Sequence, residues 1–207
     1  MSELERSPNK RPYRMRKRAE NVDETRQRII EATVRLHGTV GPARTSIAAI
    51  AAEAGVTRLT VYRHFTDEAA LIQACNEHWL AQRVPPDPQA WSRIPDPGER
   101  LAVGLADLYR FYRGGQDMLA LARRDWDHLP RPQREALAAV EAYQVQVLLD
   151  PFPVPGDRQR RLRAVIAHAA GFPTWQSLCV VNGLSDQEAV DVMSALVRLA
   201  AEGPPSR

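Results

Sequence analysis

The chain has 207 residues, of which 44% are hydrophobic and 26% are charged, a composition that suits one or two domains with an ample core. Its two cysteines, Cys75 and Cys179, exclude a disulfide-rich scaffold and favour a reducing cytoplasm. No apolar N-terminal run marks a signal peptide and no apolar stretch reaches the length of a membrane span, so we expect a cytoplasmic protein without membrane contact.

The net charge of +3 is unevenly distributed. Residues 1–70 hold 13 Lys/Arg against 9 Asp/Glu, whereas residues 71–207 hold 15 against 16. A basic first third joined to a near-neutral remainder indicates a nucleic-acid-binding part followed by a part with another role.

Residues 1–21 form the first predicted segment, a flexible basic arm. The segment lacks helical periodicity, and six basic residues follow one another without an intervening acid, Lys10, Arg11, Arg14, Arg16, Lys17 and Arg18. Such a segment has too little apolar surface to offset the entropy of ordering. It is interpreted as an arm that contacts DNA phosphates or a narrow minor groove, with a solubilising tail as the alternative.

Residues 22–66 form the second predicted segment, a head of three helices. The first helix runs from Asp23 to about His37, and Ile29, Ala32, Thr33 and Leu36 form its buried stripe. In the second helix, Ile47, Ile50, Ala51 and Ala54 share one face. Gly55 can adopt the left-handed conformation that ends a helix, and Thr57 can cap the third helix, whose inward residues are Val61 and Phe65.

The outward residues of the third helix are mostly hydrogen-bond donors, and none is acidic. Two short helices joined by a tight turn, with such a face on the second, fit the major groove of DNA. A helical hairpin with a solvated outer face is the alternative that capping and periodicity leave open.

The same residues carry a family resemblance. Thr45-Ser46, Ile50-Ala51, Ala54-Gly55-Val56-Thr57, Thr60-Val61-Tyr62-Arg63-His64-Phe65 and Leu71 resemble the DNA-binding domain of the TetR family over about fifty residues. The resemblance implies a homodimeric, all-α repressor with a variable ligand-binding domain. No cofactor is predicted. Glu68 departs from the family pattern where a phosphate-contacting Lys is frequent, and Leu59 departs where Gly is common.

The DNA-contacting residues are predicted on this basis. The resemblance places Tyr62 and His64 against phosphates, whereas Arg58 and Thr60 lie nearer the helix N-terminus and are expected at base edges. Leu59 is expected against a thymine methyl. The full predicted set is Arg44, Thr45, Ser46, Thr57, Arg58, Leu59, Thr60, Tyr62, Arg63 and His64.

Residues 67–207 form the third predicted segment, a helical ligand-binding and dimerisation domain. A helix capped by Thr66 or Asp67 runs to about Arg83, and the prolines between residues 84 and 97 predict a loop. Five further helices are predicted, at Glu99–Arg113, Gln116–Asp127, Pro130–Leu149, Asp157–Val181 and Ser185–Glu202. The first of these should end at Gly114-Gly115, and Pro173 should kink the fourth near residues 169–172.

The last two helices are predicted to form a homodimer. Residues 157–181 and 185–202 are long and apolar, more than one small domain buries by itself. They also resemble the dimerisation pair of the family, which packs against its twofold mate as a four-helix bundle. Leu196 and Val197 are predicted to lie at this interface.

Aromatic side chains are the candidates for a ligand pocket, because they suit flat apolar ligands. The predicted set is Trp79, Tyr109, Tyr112, Trp126, Tyr143, Phe172 and Trp175, with ordinary core packing as the alternative. The charged residues 123–128 beside Trp126 are interpreted as a solvated face or as a polar gate. Cys75 and His78 lie one turn apart but lack further ligands at recognisable spacing, so no metal site is predicted.

Three function classes remain to be weighed. An enzyme is not predicted, because the chain has no phosphate-binding loop and no nucleophile–base arrangement in a supporting motif. A protein-interaction module would need a tightly packed, ligand-free body. A DNA-binding regulator released from a palindromic operator by an apolar or aromatic small molecule explains both halves of the chain, and it is the function predicted here.

Overall fold

The structure, a computed structural model, describes residues 10–202 and their side chains from residue 20 onward. The described residues form helices and connecting turns without a strand, which confirms the predicted all-α class. No single helix in this part of the chain is long and apolar enough to cross a membrane. The bent pair Gly156–Ala170 and Phe172–Val181 is together long and apolar enough to cross a membrane, by length and composition alone. Its large apolar residues lie mostly in the protein core.

The described residues of the N-terminal unit form four α-helices, α1 (Lys10–Thr39), α2 (Ile47–Glu53), α3 (Arg58–His64) and α4 (Glu68–Ala81). One apolar cluster holds them together, with Ile29, Ile50, Val61, Phe65 and Leu71 all nearly or fully buried. The division between the two compact units falls between Trp79 and Leu80. It therefore lies near the end of α4, whereas the sequence placed the boundary after Thr66, because Leu71 and Ala74 of α4 complete this core.

Helix α1 is longer than predicted. It begins at Lys10, so residues 10–21 are helical where a flexible arm was expected, and residues 1–9 lie outside the described part of the chain. Arg, Lys, Met, Ala and Glu all have high helix propensity, and extending an existing helix avoids the cost of nucleation. Charge density alone therefore misled the prediction for these residues.

The described residues of the C-terminal unit form six α-helices around a second core. They are α5 (Pro88–Ser92), α6 (Pro97–Arg124), α7 (Arg131–Leu149), α8 (Gly156–Ala170), α9 (Phe172–Trp175), which continues as a π-helix over Gln176–Val181, and α10 (Asp186–Glu202). The core includes Leu105, Leu148, Ile166 and Val197, each fully buried. At Gly104 an added Cβ would lie 2.5 Å from Leu148 Cδ2, so this glycine permits the close approach of α6 to α7.

Helix α5 replaces part of the predicted proline loop. Pro88 occupies the first turn, where a missing N–H costs nothing, and Asp87 Oδ1 caps the helix by accepting the N–H groups of Gln89 and Ala90. The short helix buries Trp91, whose Nε1 donates to Asp107 at 3.0 Å. The prolines therefore initiate this helix instead of excluding it.

Helix α6 merges two predicted helices. It runs through Gly114 and Gly115, neither of which has a positive φ, and Gly115 is buried. Two glycines inside a helix cost roughly 2 kcal/mol relative to alanine, which packing on both sides can offset. The prediction of a break at this position is wrong.

The predicted kink at Pro173 is present as a complete break. Helix α8 ends at Ala170, α9 begins at Phe172 with Pro173 in its first turn, and the two axes differ by 57°. Proline lacks an N–H, so it is accommodated at a helix start. The capping box that starts α10 also forms, with Ser185 Oγ accepting the N–H of Glu188, whose carboxylate accepts the N–H of Ser185.

Candidate functional site

The turn between α2 and α3 is built as the sequence indicates. Ser46 Oγ accepts the N–H of Ala49 at 3.1 Å and starts α2. Gly55 has φ +65°, and the N–H groups of Gly55 and Val56 donate to the carbonyls of Ala52 and Ala51. This arrangement closes α2 by a Schellman-type turn. A side chain at residue 55 would be strained, because L residues rarely adopt that conformation.

Helix α3 is held by its inward face. Val61 and Phe65 are 1% and 4% exposed, as the predicted stripe requires. The guanidinium of Arg26 lies 5.0 Å from the centroid of the Phe65 ring, a cation–π contact from α1. Arg35 of α1 also donates to Glu53 of α2 at 2.8 Å. The burial of Val61 and Phe65 and the Arg26 contact hold α3 against the rest of the unit, and the Arg35–Glu53 pair joins α1 to α2.

The outward face of α3 is exposed and cationic. Leu59 is 59% and Tyr62 is 56% exposed, and Arg58 and Arg63 are exposed as well. Among the described residues neither arginine has an ion-pair partner, and α3 itself carries no acid. A convex helical surface with free donors and no negative charge suits the phosphate-lined major groove.

All three threonines of the predicted DNA-contacting set already have hydrogen-bond partners. Thr57 Oγ1 caps α3 by accepting the N–H of Thr60 at 3.2 Å, and the two threonine hydroxyls lie 2.9 Å apart. Thr45 Oγ1 donates to the carbonyl of Gly41 at 2.8 Å. The hydroxyl of Thr60 would therefore have to give up its contact with Thr57 to bind a base. Arg58 would lose no ion pair of the described residues in doing so.

The remaining predicted residues flank this surface. Arg44 is exposed in the 3₁₀ turn Pro42–Arg44, Ser46 is exposed at the start of α2, and His64 is half-buried at the end of α3. Glu68 is exposed in the first turn of α4, which Asp67 caps by accepting the N–H of Ala70. Two acids at this helix start suit its positive dipole but disfavour a phosphate there.

Four of the seven aromatic residues proposed for a pocket pack together in the C-terminal unit. The ring centroids of Tyr112 and Phe172 are 5.5 Å apart, those of Phe172 and Trp175 are 5.6 Å apart, and Tyr109 lies 6.3 Å from Tyr112. The hydroxyls of Tyr109 and Tyr112 donate to the carbonyls of Ala169 and Ala170, which end α8. Burial raises the pKa of both phenols.

The other three aromatic residues do not join this cluster. Trp79 is buried in the N-terminal unit, Tyr143 is 52% exposed on α7, and Trp126 is half-buried in the 3₁₀ turn Trp126–His128. Arg123 stacks on Trp126 at 5.4 Å, and the neighbouring Asp125 is buried and paired with Arg124. The aromatic cluster of the C-terminal unit therefore contains Tyr109, Tyr112, Phe172 and Trp175, and a ligand pocket lined by the seven residues stays a prediction.

A groove that the sequence did not predict lies elsewhere in the C-terminal unit. It has a volume of about 630 Å³ and lies between the start of α6, the turn after α7 and one side of α10. Leu101, Ala102 and Phe152 supply its apolar surface, and Asp191, Ser194 and Arg198 supply its polar side. These residues come from three distant segments, so no local pattern indicates them.

Helix α10 also exposes an apolar side. Val192, Leu196 and Leu199 are 43%, 47% and 63% exposed, and their spacing places them on one flank of the helix. Val197, by contrast, is fully buried in the core of its own chain, so its predicted place at a dimer interface is wrong. We call Val192, Leu196 and Leu199 the apolar flank of α10.

The comparisons with known proteins agree with the geometry of the N-terminal unit. Residues 29–75 match the family model described as bacterial regulatory proteins of the tetR family. The chain is 48% identical over 60 residues to the HTH-type transcriptional regulator TtgR of Pseudomonas putida, a match covering 29% of each chain. It is 43% identical over 56 residues to AcrR of Shigella flexneri (27% of this chain, 26% of the relative) and 39% identical over 75 residues to SrpR of Pseudomonas putida (35% of each). The matches thus span about a third of these relatives or less.

Proposed function

The chain belongs to the TetR family of bacterial regulatory proteins through its helix–turn–helix unit, and from that premise we propose that it is a sequence-specific transcriptional regulator acting in the cytoplasm. Its partner is double-stranded DNA, read by α3. The single observation that carries the proposal is the exposed, acid-free face of α3, fixed on a helix–turn–helix by Gly55, Val61 and Phe65. The N-terminal extension of α1 adds positive charge next to this unit.

We propose a division of labour on that face. Arg58 contacts the edge of a guanine, since it is exposed at the first position of α3 and free of ion pairs within the described residues. Tyr62 and His64 donate to phosphates and set the position of the helix, and Leu59 contacts a thymine methyl. Phosphate contacts give binding a strong dependence on salt concentration, because bound cations are released from the DNA.

The regulator is proposed to act as a homodimer through residues 157–181 and 185–202. The apolar flank of α10 supports this proposal, because a contiguous exposed apolar patch is typical of a protein–protein interface. A twofold dimer presents two α3 helices, so its operator is a near palindrome. Its half-sites lie about 34–36 Å apart or at a multiple of that distance.

The control of DNA binding is the third part of the proposal. An apolar or aromatic small molecule binds the C-terminal unit and favours a dimer geometry that does not fit the operator, so the protein represses until the molecule arrives. Such control requires the ligand to prefer one conformer, typically by about 1–3 kcal/mol. The cluster of Tyr109, Tyr112, Phe172 and Trp175 supports a role in this coupling, since two of its hydroxyls hold the break between α8 and α9.

Sequencing of genomic fragments captured by the purified protein tests the proposed function. We expect enrichment of a few sites that share an inverted repeat, and weaker capture as salt concentration rises. A variant with Arg58 and Arg63 replaced by alanine should capture no specific sites while it keeps its helical content. Capture of random fragments by the wild-type protein would contradict a sequence-specific role.

A further inference from the structure

The groove at the start of α6 is large enough to hold a small molecule. Its volume of about 630 Å³ falls in the range that drug-sized ligands occupy, roughly 300–1,000 Å³. Leu101 and Ala102 come from α6 and Phe152 from the turn after α7, so the apolar surface is assembled from two elements. Helix α10 contributes polar side chains to the same groove.

Ser194 is the first of these polar side chains. Its Oγ is shielded from solvent and has no hydrogen-bond partner among the described residues. A helical serine ordinarily bonds back to a carbonyl one turn earlier, so this hydroxyl lacks a bond that it could make. Ser194 lines the groove, and rotation about χ1 between staggered positions changes the direction of its hydroxyl. A ligand with a hydrogen-bonding group would then supply the missing partner.

Arg198 is the second, one helical turn beyond Ser194. Residues four apart lie on the same side of a helix, so the guanidinium and the hydroxyl can address one group. Arg198 is exposed and has no ion-pair partner within the described part of the chain. A guanidinium fork and a hydroxyl together donate to both oxygens of a carboxylate.

Two aspartates also border the groove, and both have other partners. Asp96 Oδ1 accepts the N–H of Glu99 at 2.7 Å as the N-cap of α6. Asp191 Oδ1 accepts from Gln187 at 2.9 Å, toward the start of α10. Asp191 lies one turn before Ser194 and Arg198 lies one turn after it, so the acidic and basic side chains mark opposite ends of the groove and an anion suits only the Arg198 end.

We propose that this groove binds an amphipathic organic acid, with the carboxylate on Arg198 and Ser194 and the apolar body on Leu101, Ala102 and Phe152. This inference deepens the proposed function. Only the role of the acid as the effector rests on that function. Binding itself is a separate property. It is measured on the protein without DNA.

The groove and the apolar flank occupy different sides of α10. The groove side carries Asp191, Ser194 and Arg198, whereas Val192, Leu196 and Leu199 form the apolar flank. At 100° per residue, the buried stripe that includes Val190, Met193 and Val197 lies between the two sides on the core face, and exposed Ala195 lies between them on the outer face. A ligand in the groove and a dimer partner on the flank therefore use different residues of the same helix.

Calorimetric titration with octanoate, octanol and octylamine tests the proposal on the full-length protein. The three probes share one alkyl chain and differ in the head group. Octanoate is expected to bind at least tenfold more tightly than octanol, because only its carboxylate pairs with Arg198. Preference for octylamine would overturn the proposal and indicate a site organised by the aspartates instead.

Three variants locate the site. Arg198→Gln should weaken octanoate binding about tenfold or more, and Ser194→Ala roughly fivefold, whereas Arg131→Gln at the exposed start of α7 is a matched control that should change nothing. Ser194→Ala should also raise the melting temperature of the free protein by about 1–3 °C, since it removes a shielded hydroxyl without a partner. Octanoate affinity unchanged in both Arg198→Gln and Ser194→Ala would overturn the assignment.

DNA binding of the same variants distinguishes this inference from the proposed function. Both should bind captured operator DNA as the wild type does, and octanoate should release the wild type but not Arg198→Gln. Octanoate binding without release from DNA would overturn the effector role alone. If the wild-type protein does not bind DNA specifically, the proposed function is contradicted, but the ligand site is not.

Discussion

Arg58 and Tyr62 lie one turn apart on the exposed face of α3, and we expect their substitutions to act differently. Tyr62→Phe should weaken binding to all DNA sequences by roughly 1 kcal/mol, the value of one lost hydrogen bond. Arg58→Ala should cost about 1–3 kcal/mol on the cognate site and relax the preference at one base pair per half-site. Titration of both variants against cognate and single-base-changed duplexes measures the difference.

Thr60 supplies the control for this comparison. Its hydroxyl lies 2.9 Å from that of Thr57 in the cap of α3, so Thr60→Val should change stability more than base preference. Equal losses on every duplex for Arg58→Ala would show that Arg58 only contacts the DNA backbone.

Asp186 gives a prediction for pH dependence. Partial burial by itself raises the pKa of this carboxyl, but the Nε and Nη2 donors of Arg113, each at 2.7 Å, and Trp175 Nε1 at 2.8 Å hold it below its usual value. The folded chain therefore binds fewer protons than the unfolded chain near this pKa, and stability is lost as pH falls below about 4.

Asp186→Asn should remove that acid-dependent loss and lower stability at neutral pH. The expected cost is about 1 kcal/mol, because Arg113 is half exposed and solvent screens the pair. Thermal unfolding followed by circular dichroism between pH 3 and 7 measures both effects. A variant whose melting temperature falls with acid as steeply as that of the wild type would show that Asp186 contributes nothing to the pH dependence.

At the scale of the helix, α10 separates two kinds of apolar position. Leu196→Glu combined with Leu199→Glu should yield a folded monomer, because charged residues on the apolar flank would be buried without partners in a dimer. Val197→Glu should instead unfold the chain, since Val197 is fully buried in its own core. Sedimentation and circular dichroism of the two variants decide between interface and core. A dimeric double variant would rule out this flank as the interface.

The helices show which patterns can be read from a sequence. The helix–turn–helix was predictable because its caps, its Gly55 turn and its apolar spacing are local, and each agrees with the fold. The full length of helix α6 was not predictable, because its continuation through Gly114 and Gly115 depends on packing against residues distant in the sequence. Helix α5 was missed for a related reason, since Pro88 reads as a breaker until the burial of Trp91 gives the short helix a place.

At the scale of the whole molecule, the proposed ligand groove was the least predictable part. Aromatic composition pointed to seven residues, of which four pack together and three lie elsewhere. The groove depends instead on side chains near residues 101, 152 and 198, whose proximity follows only from the tertiary fold. A binding site formed by separate segments leaves no periodic signal in any one of them.

Coupling between ligand and DNA is a prediction at this same scale. If a small molecule weakens operator binding by a given factor, operator DNA must weaken binding of that molecule by the same factor, and we expect about 5- to 150-fold. A screen that follows both thermal stabilisation and operator release measures it. Compounds that stabilise the protein without releasing DNA, throughout a broad library, would leave ligand control unsupported.

The central claim is sequence-specific binding by a dimer, and a titration of captured operator DNA against a scrambled duplex tests it most directly. Across a series of salt concentrations, the operator should bind more tightly than the scrambled duplex, by at least about 10³-fold at physiological salt. Inserting about five base pairs between the half-sites should remove most of that preference, because it turns the second half-site to the opposite side of the helix. Equal affinity for operator and scrambled duplex at every salt concentration would contradict the account.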